Sequence, residues 1–135
     1  MLAALCLDDR SGLSFNHRRL SRARAQQEDL LSLCREHRLW LAPCSAPLFD
    51  WAGDRASVDE ALLDRAGPGE VCFLEDRLPP MDAVEGLILY RWNRAYPADV
   101  HFQPDLSAFT LTQRTEFPGT SHEVITREIY RRKEC

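Results

Sequence analysis

Arginine is the residue type best placed to do chemistry in this chain, and several arginines gather early in the sequence. Asn16, Arg18 and Arg19 lie in a basic segment, with His17 between them. The forked guanidinium group binds phosphate or carboxylate through paired hydrogen bonds, so the segment predicts an anion-binding site. Arginines with such spacing more commonly belong to a solvated loop and to the exposed face of a helix. Both interpretations stay open.

A second cluster mixes aromatic and cationic side chains at the end of an apolar run. Tyr90, Arg91 and Trp92 begin the cluster, which continues to Tyr96. Because strand ends face the crevice of an open α/β sheet, these residues predict a ligand-binding wall. The alternative is a loop held in place by stacking and cation–π contacts.

Asp29 is the carboxylate for which the sequence offers a catalytic role. It lies in a segment with helical spacing and could act there as a general acid. It could equally be an exposed helical residue paired with an arginine. Ser121 and His122 are adjacent, and neighbouring side chains on a strand point to opposite faces, so we do not expect a nucleophile and base there. The catalytic residues are therefore unknown, with Asp29 the one candidate.

The five cysteines and four histidines lack the spacing of a metal site. No two cysteines stand in a C-x-x-C arrangement, and the histidines are scattered, so we predict neither a disulfide framework nor bound metal. Cys44 follows an apolar run and precedes a short predicted helix, a position that can lower the pKa of a thiol. It is therefore a candidate reactive thiol.

The elements that would position these side chains alternate between strand and helix. Mostly apolar segments, typical of strands buried on both faces, occur at Leu2–Leu7, 38–42, 71–74 and Gly86–Arg91. Helical signals lie between them: a helix at 21–37 capped by Ser21, a short helix at 45–51, a capping box at Ser57 and Glu60, and a helical turn at 81–84. This order predicts a parallel sheet with helices on its faces.

The end of the chain has a different pattern. Apolar and polar residues alternate over Phe109–Phe117 and again over 124–131, with Pro118 and Gly119 between them. Two alternating segments with a short connection predict an antiparallel hairpin. The fold class is therefore a single α/β domain over residues 1–135, with a mixed, mostly parallel central sheet, flanking helices and a C-terminal antiparallel hairpin.

Charge and hydropathy exclude several classes of partner. The net charge of −4 provides no global field for nucleic acid, and one phenylalanine among the arginines offers little stacking surface, so nucleic acid is an unlikely partner. No apolar run approaches the roughly 18 residues of a membrane span, so we expect no membrane partner. The first residues lack a basic region before the apolar run, as a signal peptide would have, so the expected location is the cytoplasm.

Three segments give the chain a resemblance to dihydrofolate reductase. The opening LAALCLDDRSG is similar to the reductase's first strand and its Asp-Arg turn. The segment 87–102 ends in Asp99-Val100-His101-Phe102 and resembles the strand and loop that end in an Asp-x-His-Phe motif. The segment 122–132, with Glu128-Ile129-Tyr130-Arg131 near its end, resembles the final strand. The resemblance implies the fold of that family.

The resemblance also implies a ligand set that this chain keeps only in part. A carboxylate on the first helix holds the pterin in the family, and Asp29 is its counterpart. The family binds NADPH through two motifs, a Gly-Arg followed by Thr or Ser and a Gly-Gly pair. In this chain the corresponding positions are occupied by Ala42-Pro43-Cys44-Ser45 and by Glu75-Asp76. The two carboxylates of Glu75 and Asp76 would repel a polyanionic cofactor. The segment 51–70 is also too short to form the strands that bind adenosine in the family. We therefore expect NADPH binding and the reductase reaction to be lost.

Three hypotheses about function follow. The first is a small cytosolic protein that uses no cofactor and binds an anionic small molecule in the crevice beside the first strand. The second is a divergent reductase that uses a flavin, or NADPH in another pose, with Asp29 as proton donor or pterin anchor. The third is an interaction module without a small ligand, a homodimer formed through an exposed sheet edge.

Overall fold

The strands and helices follow the predicted order, with short additional strands between them. A computed structural model describes residues 1–119 and 122–133. The strands in these ranges are β1 (Leu2–Leu7), β2 (Gly12–Phe15), β3 (Arg18–Arg19), β4 (Leu39–Leu41), β5 (Ala56–Val58), β6 (Val71–Phe73), β7 (Gly86–Arg91), β8 (Val100–His101), β9 (Phe109–Phe117) and β10 (Ile125–Arg132). The helices are α1 (Arg24–Leu33), α2 (Leu62–Arg65) and a 3₁₀ helix (Ala46–Ala52).

Seven of these strands form the main sheet, in the order β5-β4-β6-β1-β7-β10-β9. The first five strands of this order are parallel to one another, whereas β10 is antiparallel to both β7 and β9. The predicted mixed, mostly parallel sheet with a C-terminal hairpin is therefore confirmed. β1 lies in the middle of the sheet and all of its side chains are buried, which explains its unbroken apolar run.

Side-chain alternation along the central strands divides the core into two layers. On one face of the sheet, Ile88 and Tyr90 pack in a layer that includes Leu30 and Leu31 of α1. On the other face, Leu87 and Leu89 of the same strand pack in a layer that includes Leu62 of α2. The two apolar layers account for the apolar composition of both faces of the central strands. Full burial of each leucine stabilises the fold by roughly 1.5–3 kcal/mol.

The first helix is shorter than predicted at both ends, and the predicted cap at Ser21 is wrong. The helix begins at Arg24, three residues after Ser21, and its N-cap is Ala23, whose side chain makes no capping hydrogen bond. The Ser21 hydroxyl instead lies 3.2 Å from Nε2 of His122. The helix ends at Leu33, four residues before the predicted end at 37. A long-range contact of Ser21 thus takes the place of the predicted cap.

The capping box predicted at Ser57 is also wrong. Ser57 lies in β5, which pairs with β4 and extends the sheet by one short parallel strand. Asp59 accepts a hydrogen bond of 2.8 Å from the backbone N–H of Ala61, and the helix that follows is the single turn of α2. Residues 81–84 likewise contain a turn where a helical turn was predicted. Strand pairing thus overrides a local helix signal here.

A small second sheet, of the order β3-β2-β8, shapes the segment where only a turn and a basic run were predicted. Asn16 and His17 connect β2 to β3, and both have positive φ, +50° and +62°. A two-residue turn of this kind matches the twist of a hairpin, and asparagine tolerates the left-handed conformation well. Arg18 and Arg19 are therefore held on a hairpin strand and not in an open loop.

None of the helices in the described part of the chain is long and apolar enough to cross a membrane. The longest of them, α1, has ten residues.

Candidate functional site

The hairpin of β2 and β3 forms one wall of a cavity at the carboxyl ends of β4 and β6. The cavity has a volume of about 390 Å³. We call it the arginine crevice and define it by its lining residues His17, Arg18, Arg19, Cys44, Glu75 and Asp76. Cys44 follows β4, and Glu75 and Asp76 follow β6. The cavity thus lies where open α/β sheets place their ligands.

Arg19 and Glu75 form a paired ion bridge across the crevice. The Arg19 guanidinium donates from Nε to Oε2 of Glu75 at 2.8 Å and from Nη2 to Oε1 at 3.1 Å. The Ser45 hydroxyl donates a further hydrogen bond of 2.7 Å to the Glu75 carboxylate. The hydrogen bond that Arg19 donates to Glu75 is also the main reason why the pKa of Arg19 is raised. Arg19 therefore compensates the charge of Glu75 and fixes the hairpin to β6.

Asp76, the second carboxylate of the crevice, is compensated in the same way. The Arg77 guanidinium donates to both oxygens of Asp76 at 2.9 Å. These bonds lower the pKa of the Asp76 carboxyl below its usual value. Each carboxylate of the pair Glu75-Asp76, expected from the sequence to repel anions, is therefore bonded to an arginine, and Arg77 is shared with Glu60.

Arg18 is the cation of the crevice that the fold leaves without a carboxylate. Its side chain is exposed and, among the described residues, makes no ion pair. It lines the arginine crevice and also an adjoining cavity of about 330 Å³ next to Asn16 and Tyr96. The backbone N–H of Asn16 donates to Asp99 of the neighbouring loop at 3.1 Å, which holds the turn before Arg18. Arg18 is thus positioned at a junction that a ligand could reach.

Cys44 is exposed in the crevice, but its surroundings oppose thiolate formation. Partial burial raises the pKa of the Cys44 thiol, and the negative charges of Asp76 and Glu75 raise it further, against a lowering hydrogen bond from Ser45. The sequence-based expectation of a lowered thiol pKa is therefore wrong. Position after a strand is not sufficient to lower the pKa of a thiol when two carboxylates lie beside it.

Asp29 lies in a separate polar network on the helix-covered face of the sheet. Tyr90 donates its hydroxyl hydrogen to Oδ2 of Asp29 at 2.7 Å. Arg127 on β10 donates from Nη1 to both Asp29 oxygens, at 2.7 and 2.8 Å, and from Nη2 to Gln113 at 2.7 Å. Burial and the Asp29 charge raise the pKa of Tyr90 well above its usual value. Asp29 is therefore paired with an arginine, as one of the two interpretations expected, but its side chain is only 20% exposed, whereas that interpretation placed it at the surface.

Sheet register explains why Arg127 meets Asp29. Arg127 is directly opposite Tyr90 on β7 and Thr115 on β9. Its side chain therefore shares a face with the Tyr90 ring and lies beneath α1. The Arg127 Nε is buried and has no hydrogen-bond partner among the described residues. Sequence reasoning missed this residue because a lone arginine on an alternating strand resembles a solvent-facing one.

The remaining predicted ligand residues lie apart from the arginine crevice. Tyr90 is fully buried and Trp92 is almost so. The Trp92 ring stacks on His122 at a centroid distance of 4.7 Å, which agrees with the alternative of a loop held by stacking. Arg91 points to the opposite face of the sheet and pairs with Glu128 at 3.0 Å. Of the predicted set, the structure brings together Asn16, Arg18 and Arg19 alone.

His122 joins three loops on the outer side of the Trp92 ring. Its Nε2 lies 2.8 Å from the Tyr96 hydroxyl and 3.2 Å from that of Ser21. Burial, with a smaller effect of the Arg94 charge, lowers the pKa of His122. The neighbouring Ser121 lies outside the described residues. Within the described ranges, no group of three or more candidate ligands could hold a metal ion.

Comparison with solved structures identifies the fold. The chain is similar to a dihydrofolate reductase from Enterococcus faecalis, whose structure is a complex with NADP(H) and RAB-propyl, with a TM-score of 0.68 and 14% sequence identity. The similarity covers 99% of this chain and 97% of that chain. No family model matches the sequence, and no curated protein matches it. The chain therefore has a dihydrofolate reductase-like fold, as the sequence resemblance predicted.

Proposed function

We propose that this protein binds a small anionic molecule in the arginine crevice, with Arg18 as the main contact for the anionic group. The observation that supports this is the charge balance of the crevice. Glu75 and Asp76 each form an ion pair with an arginine, whereas Arg18 forms no ion pair with any carboxylate of the described residues. One uncompensated guanidinium in a cavity attracts phosphate or carboxylate, and its forked shape favours two hydrogen bonds.

Cavity size and shape fit a molecule of modest dimensions. A volume of about 390 Å³ lies near the lower end of the range of small-molecule sites, about 300–1,000 Å³. Arg19 acts here as a positioning residue, since its bond to Glu75 holds the strand that carries Arg18. Asn16 contributes through the turn, which is held to Asp99. The hairpin is thus ordered before a ligand arrives, which reduces the entropy lost on binding.

The crevice residues do not fit the dinucleotide that the fold family would imply. The end of β6 carries the side chains of Glu75 and Asp76, where a dinucleotide would need the close backbone approach that glycine allows. Glu75 is held in place by Arg19 and Ser45. The pterin counterpart, Asp29, has its two oxygens bonded to Tyr90 and Arg127. The divergent-reductase hypothesis therefore has the support of the fold alone.

Calorimetric titration of the purified protein tests the proposal directly. The probes are inorganic phosphate, a phosphate monoester, a dicarboxylate, folate and NADPH. We expect at least one small phosphate or carboxylate to bind, and Arg18→Ala to weaken that binding about tenfold or more, because a charge-assisted hydrogen bond contributes about 1.5–3 kcal/mol. Arg35→Ala is the matched control, since Arg35 is an exposed arginine beyond α1 and outside the crevice.

Three results would overturn the proposal. The first is an Arg18→Ala variant that binds the same anion with unchanged affinity. The second is the absence of binding by any of the small anions. The third is saturable binding of NADPH with higher affinity than any small anion, which would favour the reductase hypothesis. As a control for folding, the thermal midpoint of each variant is measured without ligand and compared with that of the wild type.

A further inference from the structure

The outer strand of the C-terminal hairpin presents a long open edge. β9 spans Phe109–Phe117 and is the last strand of the main sheet, so within the described chain its outer backbone groups pair with no further strand. The strand at the opposite edge, β5, has only three residues. Unpaired backbone N–H and C=O groups on an extended edge are a template for another strand.

A bulge limits the part of β9 that can accept a partner. Gln113 pairs with Ile129 and Leu111 pairs with Tyr130. Thr112 is therefore an extra residue on β9 that has no opposite residue in the register with β10. Bulges bend a strand and interrupt pairing along an edge. The regular part of the edge is therefore the five residues from Gln113 to Phe117.

This short edge is charge-complementary to a second copy of itself. Arg114 and Glu116 are both half exposed and flank Thr115. In a two-fold dimer the paired edges are antiparallel, and the residue on the axis faces its own copy. With Thr115 on the axis, Arg114 of each copy lies opposite Glu116 of the other.

The other registers are less favourable for physical reasons. Placing Arg114 on the axis sets two arginines opposite each other, and placing Glu116 there sets two glutamates opposite each other. Like charges directly opposite on neighbouring strands are destabilising. Placing Gln113 on the axis would run the pairing through the bulge at Thr112. The register centred on Thr115 avoids both problems and forms two ion pairs.

We infer that the protein forms a homodimer in which the β9 strands of two copies pair edge to edge about a two-fold axis at Thr115. The dimer joins two seven-stranded sheets into one continuous sheet. The residues that bind each other lie in β9, apart from those of the arginine crevice. Dimer formation and anion binding are therefore tested separately.

Sedimentation velocity on charge-reversed variants tests this interface. Arg114→Glu gives an edge with two acidic residues, and Glu116→Arg gives an edge with two basic residues. We expect each variant alone to be a monomer at concentrations where the wild type is a dimer, with dimerisation weakened about tenfold or more. We expect an equimolar mixture of the two variants to form a dimer, because each acidic residue then lies opposite a basic one.

The mixture separates the interface from effects within one chain. Arg114 also lies 3.1 Å from Glu116 and 3.8 Å from Glu128 of its own chain, and both variants disturb those contacts. Mixing the variants does not restore these contacts but restores the pairs between copies. Arg35→Glu, a charge reversal at an exposed site beyond α1, is the matched control and should remain a dimer. A monomeric wild type, dimeric single variants or a mixture that stays monomeric would each overturn the inference.

Discussion

The ion pair between Asp29 and Arg127 yields a prediction about stability that can be worked out from the contacts. Three variants are compared with the wild type: Asp29→Asn, Arg127→Met and the double variant. Arg127→Met removes the guanidinium that donates to both Asp29 oxygens and to Gln113. The Asp29 carboxylate then keeps the Tyr90 hydroxyl as its one remaining side-chain donor among the described residues.

The expected loss follows from the burial of the pair. Removing one partner of a buried ion pair costs about 3–5 kcal/mol. The side chains of Arg127 and Asp29 are 10% and 20% exposed, so some water still screens the charge and we expect about 3 kcal/mol for Arg127→Met. For a chain of 135 residues the unfolding entropy is about 0.28 kcal/mol/K, so the thermal midpoint should fall by about 10 °C.

The double variant provides the stricter test. It contains neither charge, and methionine fills part of the space of the arginine stem, so it should be less destabilised than the sum of the single variants. We expect a coupling free energy of about 2 kcal/mol, measured by urea unfolding followed by circular dichroism. If Arg127→Met costs less than about 1 kcal/mol, or if the two single losses add within about 0.5 kcal/mol, the pair is not the buried unit described above.

Three further predictions concern single residues. Burial alone would raise the pKa of Asp8, but backbone N–H donors outweigh burial and lower the pKa below 3.8. The stability that Asp8 contributes is therefore complete above that value and is lost at lower pH. In Asp8→Asn, the free energy of unfolding, measured with urea, should therefore depend less on pH below about pH 4. Cys44, whose thiol pKa is raised, should react with iodoacetamide at neutral pH more slowly than an unstructured cysteine peptide, as followed by mass spectrometry. In Gly86→Ala the new Cβ would lie against the Tyr130 carbonyl oxygen. Calorimetry should therefore show that the free energy of unfolding falls by about 1–3 kcal/mol. An unchanged thermal midpoint would contradict this prediction and mean that β10 can shift to make room.

The parts of the fold that the sequence predicts well are those where burial decides the residue types. β1 and β7 begin and end where their apolar runs do, because strands between other strands exclude polar residues from both faces. The segment before α1 and the strand β5 have partners distant in the sequence, His122 and β4, and local capping signals do not contain that information.

The candidate site was predictable in part. Arg18 and Arg19 stand out as a basic pair, but nothing near them in the sequence indicates that Arg19 bridges to Glu75, 56 residues away. A signal for the hairpin was present, since Asn16 and His17 separate two short segments in the way a two-residue turn does. Arg91 and Tyr90 lie on opposite faces of the sheet because neighbouring side chains on a strand alternate. The prediction of one ligand-binding wall placed both residues together and did not take this alternation into account.

The central position of β1 has a consequence for how the chain folds. β1 pairs with β6 and β7, and the nearest of these in the sequence begins at Val71. β1 therefore remains apolar and without its partner strands until a segment some 70 residues later can reach it. Contacts between residues so far apart slow folding because a long loop must close before they stabilise anything. During synthesis on the ribosome, Leu2–Leu7 is accordingly an apolar segment that we expect a chaperone to bind before β6 has been made.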